Sequence, residues 1–260
     1  MLRSRIIPCL LVKNGGLVKT RQFDDPKYVG DPINAVRIFN EKEVDELFVI
    51  DIDATVQNRE PNYTLIQNLA AECRMPLCYG GGVKTVGQIQ KIVGLGVEKV
   101  SISASAVETP ELITDAAAKV GSQSVVVVLD VKKSGLLRRY EVCTHNGSRK
   151  TGHNPVDFAV KVQSLGAGEI VVNSIERDGL MNGYDFHLIQ EIRDSINVPL
   201  TVLGGAGSLQ DIQDLVQQLG LVGAAAGSLF VFKGKYRAVL INYPSHNEKE
   251  TMIAELTVQR

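Results

Sequence analysis

Two glycine-rich turns offer the clearest chemistry in this sequence. One is Gly-Gly-Gly at 80–82 and the other is Gly-Gly-Ala-Gly at 204–207, and each follows a short apolar run. A turn without side chains lets a phosphate approach the backbone, and the N–H groups at the start of a following helix favour an anion. A single such turn could be no more than a tight bend, but two at equivalent places predict two phosphate sites. The predicted backbone donors are Gly81, Gly82, Gly205 and Gly207.

Polar residues at the ends of two other apolar runs would extend both sites. Ser103 and Ser105 end one of these runs, and Gly227 and Ser228 end the other. Their hydroxyl and N–H groups are donors that phosphate oxygens accept. Two such sites on opposite sides of one cavity would suit a long substrate that carries a phosphate at each end.

Short apolar runs alternate with amphipathic stretches along the chain, and this alternation must position the turns. Val- and Ile-rich strands that are each followed by a helix are typical of parallel βαβ units, and eight of them close into a (β/α)8 TIM barrel. Active sites of such barrels lie where the strands end, which is where both turns fall. The predicted strands are 5–11, 47–51, 77–80, 99–103, 124–130, 169–174, 200–203 and 223–227. The predicted helices lie near 32–44, 61–73, 85–95, 109–120, 154–166, 185–196 and 208–219, with a small rim hairpin within 131–153.

The chain also repeats itself. Glu-Leu-Phe-Val-Ile from Glu46 matches Glu-Ile-Val-Val-Asn from Glu169, 123 residues later, and the two glycine turns lie at nearly the same offset. Similar segments in the same order indicate a duplicated four-strand unit. We therefore predict a single domain of two half-barrels, at about 1–122 and 123–232. The stretch at about 233–260 has an extended pattern where an eighth helix is expected, which leaves its packing open.

Length, charge and composition narrow the class of protein. The 260 residues fit one barrel, which typically needs about 250. A net charge of −1 without a basic stripe gives no reason to expect nucleic acid. No apolar run approaches the roughly 20 residues that cross a bilayer, and the first residues are typical of a strand rather than a secretory signal. We expect a cytoplasmic protein that does not bind a membrane.

The cysteines and histidines show no spacing that suits a metal ion. We expect reduced thiols and surface or loop histidines, with no metal and no organic cofactor. The residues concerned are Cys9, Cys73, Cys78, Cys143, His145, His153, His187 and His246.

The sequence resembles the cyclase subunit of imidazole glycerol phosphate synthase from residue 1 to about 232. The motifs that carry this resemblance fall in the family's order along nearly the whole barrel. They are Ile-Ile-Pro-Cys-Leu from 6, Asp-Glu-Leu from 45, Gly-Gly-Gly-Val from 80, Lys-Val-Ser from 99, Asp-Val-Lys from 130, Gly-Ala-Gly-Glu from 166, Ser-Ile-Glu-Arg-Asp-Gly from 174 and Gly-Gly-Ala-Gly from 204.

The resemblance implies a carbon–nitrogen lyase that works with a glutaminase bound at the bottom of the barrel. Ammonia passes along the barrel axis to the top rim, attacks a bisphosphorylated ribulosyl carboxamide nucleotide, and gives imidazole glycerol phosphate and aminoimidazole carboxamide ribotide. Two aspartates, at the ends of the first and fifth strands, act there as general acid and base. Lys19 and Asp178 match rim positions of the family and would contact the phosphorylated ligand.

This sequence keeps only one of the two catalytic aspartates. Asp130 stands at the end of the fifth strand, but the matching position on the first strand is Leu11. A leucine carries no proton, and losing one general acid–base group typically lowers the rate about 10²–10⁴-fold. Asp53, on the second strand, is a candidate for a compensating carboxylate.

Four charged residues match the family's ring at the lower mouth of the barrel. Chemistry alone favours a stabilising salt-bridge cluster, the usual role of that face, whereas the resemblance implies an ammonia gate. The four are Arg5, Glu46, Lys99 and Glu169.

Three hypotheses follow. The favoured one is a divergent paralogue that docks a glutaminase and conducts ammonia to another reaction, such as the amidation of surface-polysaccharide sugars by a separate amidotransferase in lipopolysaccharide biosynthesis. The alternative is the ordinary cyclase subunit of histidine biosynthesis. The third is the related sugar isomerase of that pathway, which also uses paired aspartates and would not need the charged ring.

Overall fold

The computed structural model describes residues 3–257, with side chains described as far as residue 252. Strands and helices alternate in the predicted order. The strands are β1 (Arg5–Lys13), β2 (Gly16–Arg21), β3 (Asp24–Gly30), β4 (Leu47–Asp51), β5 (Leu77–Gly80), β6 (Lys99–Ile102), β7 (Val125–Ser134), β8 (Arg139–Thr144), β9 (Arg149–Lys150), β10 (Glu169–Ser174), β11 (Leu200–Leu203), β12 (Gly223–Ala226), β13 (Phe232–Lys233) and β14 (Ala238–Val239). The helices are α1 (Pro32–Glu41), α2 (Tyr63–Glu72), α3 (Val86–Gly94), α4 (Ala104–Glu108), α5 (Glu111–Val120), α6 (Pro155–Ser164), α7 (Phe186–Arg193), α8 (Leu209–Leu219), α9 (Ser228–Val231) and α10 (His246–Thr257).

Eight parallel strands close into a barrel, which confirms the predicted fold. Their order around the barrel is β1, β4, β5, β6, β7, β10, β11, β12 and back to β1. The closing pair sets Arg5 of β1 opposite Gly223 of β12. All eight strands therefore start at one mouth of the barrel and end at the other, and we call these the bottom mouth and the top rim.

The apolar residues form two layers on either side of the barrel wall. The larger core lies between strands and helices, and the helices start at predictable residues. Asp31 and Asn154, for example, cap α1 and α6 with side-chain oxygens. A second, smaller cluster fills the inside of the barrel. Its members are Ile7, Cys9, Phe48, Cys78, Val126, Val128, Val171, Leu203 and Ala225.

Two hairpins extend the barrel strands at the top rim. β7 runs past its predicted end at Asp130 and pairs with β8, and β9 completes the hairpin predicted within 131–153. The sequence analysis missed the other hairpin, in which β2 returns along β1 and pairs with β3. Its signal was Asn14-Gly15, since both residues adopt the positive φ that a two-residue hairpin turn requires.

The C-terminal stretch packs against the barrel in two steps. β13 and β14 form a small antiparallel hairpin at the top rim, and the chain then descends to the bottom mouth. There Tyr243 donates its hydroxyl to the Ile6 carbonyl at 2.9 Å, and the Lys249 ammonium lies 2.9 Å from Asp45. Residues 1–2 and 258–260 of the predicted units lie outside the described residues. Over residues 3–257, none of the helices is both long enough and apolar enough to span a membrane.

Candidate functional site

A pocket of about 1400 Å³, open mouth included, occupies the top rim where the barrel strands end. It gathers all but one of the residues predicted to bind phosphate or to catalyse. Gly207 is the exception and is absent from the pocket wall. The predicted residues that line the pocket are Lys19, Gly81, Gly82, Ser103, Ser105, Asp130, Asp178, Gly205, Gly227 and Ser228.

Asp130 lines this pocket from β7. Its Oδ1 accepts a hydrogen bond from the Asn173 amide at 2.9 Å. Burial raises the pKa of Asp130 to about 7, with the bonds from Asn173 and Ser103 opposing the rise and the Asp178 carboxyl adding to it. A carboxyl with a pKa near 7 can both accept and donate a proton at physiological pH, which is what general acid–base catalysis requires.

The position across from Asp130 is apolar. Leu11 pairs with Val18 of β2 and Ile50 of β4, and its side chain lines the same pocket. The structure does not support the predicted rescue by Asp53, which is buried outside the pocket wall, 3.8 Å from the Lys13 ammonium. The reason is that Asp53 lies in the turn that follows β4, where its carboxyl is directed to Lys13.

Another carboxyl nevertheless reaches the pocket from the segment that follows β10. Asp178 accepts hydrogen bonds from the Thr20 hydroxyl at 2.7 Å and the Phe23 N–H at 3.3 Å. Burial raises the pKa of Asp178, while these two bonds and the Lys19 charge oppose the rise. The unpredicted β2–β3 hairpin therefore fixes this carboxyl in place.

Lys19 lies on the same hairpin, and its ammonium is buried in the pocket wall. It donates to the Cys9 carbonyl and lies against Gly227, where an added Cβ would come within 2.7 Å of Nζ. Burial lowers the pKa of Lys19. Its only strong partner in the described structure is a neutral carbonyl, so an anionic ligand would supply the charge that the burial leaves unmatched.

The two glycine turns have the same backbone at matching positions. Gly81 has φ of +116° and Gly205 has φ of +117°. An added Cβ at either position would collide with a carbonyl of a neighbouring loop, so packing as well as ligand access requires glycine there. Gly207 differs, because its N–H donates to Asp211 Oδ2 at 2.8 Å as part of the α8 cap. The binding of phosphate by Gly207 stays a prediction, and its backbone N–H is already used in this bond.

Two short helices present their first turns to the pocket. Ser103 precedes α4 and Gly227 precedes α9, and neither helix has a side-chain cap. The Ser105 hydroxyl is committed to the Val83 carbonyl at 2.8 Å. Backbone N–H groups are thus the donors that each of these turns can offer to an anion.

His145 lies in a loop, as expected, but it also lines the pocket. Its Nδ1 is 3.1 Å from the Thr144 hydroxyl, and burial lowers its pKa. The neighbouring Asn146 donates to the Ile52 carbonyl at 2.8 Å and ties the β8–β9 turn to the loop after β4. No spacing in the sequence marked these residues, because a hairpin from another part of the chain brings them in.

The four predicted gate residues form a closed ring across the bottom mouth. Lys99 lies 2.9 Å from Glu46 and 2.7 Å from Glu169. Arg5 completes the ring with an ion pair to Glu46 and another, at 2.8 Å, to Glu169. Burial opposes the charge of both cations, yet Glu169 and Glu46 raise the pKa of Arg5 and of Lys99, and these cations in turn lower the pKa of Glu169.

Thr201 is a fifth member of this ring that the sequence analysis missed. Its hydroxyl donates to Glu169 Oε1 at 2.5 Å and lies 3.5 Å from an Arg5 nitrogen. It is the second residue of β11, so its place at the bottom mouth follows from the barrel alone.

An apolar interior separates the ring from the pocket. Ile7, Phe48 and Val126 are among the side chains that fill it, together with two thiols. Burial raises the pKa of Cys9 to about 12 and raises that of Cys78, so both thiols stay neutral.

Comparison with known proteins identifies close relatives of this sequence. A family model described as histidine biosynthesis protein matches residues 5–237. A protein of Leptospira borgpetersenii, provisionally named imidazole glycerol phosphate synthase subunit HisF, is 58% identical over 252 residues, covering 97% of this chain and 99% of the relative.

Two further relatives show the same full-length match. A Pseudomonas aeruginosa protein, provisionally named subunit hisF2 of the same synthase, is 53% identical over 95% of this chain and 98% of its own length. The imidazole glycerol phosphate synthase subunit HisF of Alkaliphilus metalliredigens is 42% identical over 88% of this chain and 91% of its own length.

Proposed function

Since this chain belongs to the histidine biosynthesis protein family as a HisF-like imidazole glycerol phosphate synthase subunit, we propose that it conducts ammonia from a docked glutaminase to its top pocket. In this proposal the chain performs little or no cyclase chemistry itself. The ammonia enters through the ring at the bottom mouth and leaves beside Asp130.

A single contrast carries the proposal: Leu11 faces the pocket that holds Asp130, while the ring at the bottom mouth is complete. Ring closure in the cyclase reaction needs one group to donate a proton and another to accept one. Leucine can do neither, and the loss of one such group typically lowers the rate about 10²–10⁴-fold. Nothing comparable is missing from the bottom mouth.

The interior suits ammonia better than ammonium. An ammonium ion would lose its hydration among the apolar side chains without gaining a partner, whereas neutral ammonia avoids that cost. The ring must open for passage. The two cations are the members best able to leave, because the side chains of Arg5 and Lys99 are 27% and 18% exposed while those of Glu46 and Glu169 are 5% and 6% exposed.

The consumer of the ammonia is a separate enzyme in this proposal, namely a sugar amidotransferase of surface-polysaccharide synthesis. The numbered name hisF2 of one close relative fits a copy with a separate role. The pocket would then hold a phosphorylated ligand or a part of that consumer. The four free cysteines suit a cytoplasmic location for this assembly.

One observation favours the ordinary cyclase as a second candidate. Asp178 lines the pocket, is largely buried and interacts with Asp130, so a further carboxyl lies near Asp130 in spite of Leu11. If Asp178 can exchange protons with substrate, it would replace the missing aspartate. Its two hydrogen bonds from the β2–β3 hairpin argue instead for a fixed acceptor.

The test is an assay of the purified chain with saturating ammonium salt and the bisphosphorylated ribulosyl carboxamide nucleotide. We expect turnover at least about 10²-fold below that of an ordinary cyclase, and we expect Leu11→Asp to recover part of it. Leu11→Asn is the matched control, since it adds a polar group of the same size without an exchangeable carboxyl proton.

Turnover within about tenfold of an ordinary cyclase would refute the proposal in favour of the cyclase. In that case Asp178→Asn would abolish the activity if Asp178 is the second acid. Equal recovery by Leu11→Asp and Leu11→Asn would show that polarity, not proton transfer, limits the reaction.

A further inference from the structure

Two hairpins at the top rim expose large apolar side chains at their tips. In the hairpin of β7 and β8, Leu136 is 100% exposed and Leu137 is 72% exposed. In the hairpin of β13 and β14, Tyr236 is 90% exposed. Apolar tips surrounded by polar residues are typical of surfaces that bind another macromolecule.

Both hairpins are strongly basic, although the whole chain carries a net charge of −1. Several of their cations have no carboxylate within 4.0 Å among the described side chains, so their charge is open to a partner. These are Lys132, Arg139, Lys233 and Lys235.

The hairpins stand on the wall of the pocket itself. β7 carries Asp130 into the pocket and continues directly to the tip at Leu136. The second hairpin follows Ser228, and its Arg237 donates to the carbonyl of Gly179, another residue of the pocket wall, at 2.9 Å. The two tips therefore flank the mouth from which ammonia would leave.

Ammonia released into water at neutral pH becomes ammonium, which is not a nucleophile. An enzyme that uses ammonia from this chain must therefore cover the mouth while transfer takes place. We propose that the two hairpins dock that ammonia-consuming enzyme, through an acidic surface with apolar recesses for Leu136, Leu137 and Tyr236. This inference rests on the proposed function, since it needs ammonia to reach the top rim.

The surroundings of the tips favour a protein over an anionic bilayer. Asp24 and Asp25 are exposed on the β2–β3 hairpin, whose Lys27 lies over the Phe232 ring at the base of the second hairpin. Glu176 pairs with Arg138 at 3.2 Å in the turn of the first. A protein can place its acidic residues opposite the hairpin cations alone, whereas a uniformly anionic bilayer would also face these carboxylates and be repelled in part, and a bilayer could not consume ammonia.

The first experiment introduces a photo-crosslinking amino acid at 136 or 236 in the full chain, in cells that produce its glutaminase. The matched control carries the same amino acid at 160 on the outer face of α6, where Val160 is 42% exposed. We expect positions 136 and 236, but not 160, to form an adduct that mass spectrometry identifies as an enzyme that consumes ammonia. Adducts with lipid, with a second copy of the chain, with a protein of another kind, or no excess over the control would overturn the inference.

The second experiment measures amidation by the crosslinked enzyme with glutamine or with ammonium salt as nitrogen source. Charge reversal by Lys132→Glu with Arg139→Glu should lower the glutamine-dependent rate about tenfold or more and leave the ammonium-dependent rate unchanged. Lys119→Glu with Lys161→Glu, on the outer helices, is the matched control. The Leu136→Asp variant should act like the reversal, and because Leu136 is fully exposed it should fold normally.

The outcomes separate the two ideas. If the unaltered chain supports no glutamine-dependent amidation, the proposed function fails. If it does support it and the reversed variant is equally active, ammonia conduction stands and the docking surface is wrong.

Discussion

The two ends of the barrel both bury charge, but burial has opposite results there. At the bottom mouth, two cations and two carboxylates alternate, and the ion pairs raise the pKa of Arg5 and Lys99 and lower that of Glu169. At the top, burial raises the pKa of Asp130 and Asp178 and lowers that of Lys19. The environment at the bottom mouth favours the charged forms of these residues, whereas the environment at the top rim favours the neutral forms.

This difference follows from partners rather than from depth. Each ring residue faces two opposite charges within the ring, and their attraction offsets the free-energy cost of removing its charge from water. In the pocket the buried cation bonds to a carbonyl, and the carboxyls face an amide and a hydroxyl. A complete cluster keeps its groups charged, and an incomplete one is open to a ligand or a proton transfer.

Breaking the ring should have the largest effect on stability. Lys99→Met keeps the length of the side chain but leaves two buried carboxylates with Arg5 as their only cation. We expect a loss of about 3–5 kcal/mol in the free energy of unfolding, measured by urea denaturation at pH 7. Lys132→Met, at an exposed lysine of the top rim, should change it by less than about 0.5 kcal/mol.

The stability of Lys99→Met should depend on pH in a way that tests whether the loss is electrostatic. Glu169 has a lowered pKa when folded, so its contribution is present above its ordinary value of 4.5 and is lost as the pH falls through the folded value. The gap between Lys99→Met and the unaltered chain should therefore narrow below about pH 4.5. A gap that persists there would show lost packing rather than lost charge.

Asp130 should show the opposite pH dependence, with a smaller effect. Its pKa is about 7 when folded and 3.8 ordinarily, so the folded chain binds the extra proton between these values and loses stability as the pH rises from about 4 to 7. Asp130→Asn should remove this loss and gain roughly 1–3 kcal/mol over the unaltered chain at pH 8, because solvent reaches part of the carboxyl. The gain should vanish near pH 4.

Urea denaturation across this pH range measures the effect, with the exposed Asp115→Asn as the control. If Asp130→Asn destabilised the chain equally at pH 4 and pH 8, the carboxyl would be charged throughout and the contrast between the two ends would be wrong.

The smallest predicted effect concerns Thr201. Thr201→Val keeps the shape but removes the hydroxyl that donates to Glu169, which should cost about 1 kcal/mol in unfolding free energy. Thr201→Ser restores the hydroxyl and should recover most of it. A loss in Thr201→Ser without one in Thr201→Val would assign the effect to the methyl group, and Thr201 would then be no part of the ring.

Prediction succeeded where residue type and local pattern were sufficient. The strands at 47–51, 77–80, 169–174 and 200–203 have their predicted bounds, because short Val- and Leu-rich runs end at clear turns. Prediction failed where a segment that is distant in sequence packs against the pocket. The β2–β3 hairpin fixes Asp178 and buries Lys19, and the β8–β9 turn brings His145 into the pocket.

By itself, the sequence determined the barrel, the glycine turns at its rim, the one aspartate kept of the pair that the resemblance implies, and the four charges of the ring. The tertiary structure alone decided that those charges close on one another, that Thr201 joins them, and that Gly207 gives its N–H to α8. The physical reason is that residue type sets which groups can carry charge. The pKa of each group depends on the partners and solvent around it, and only the closed barrel brings these together.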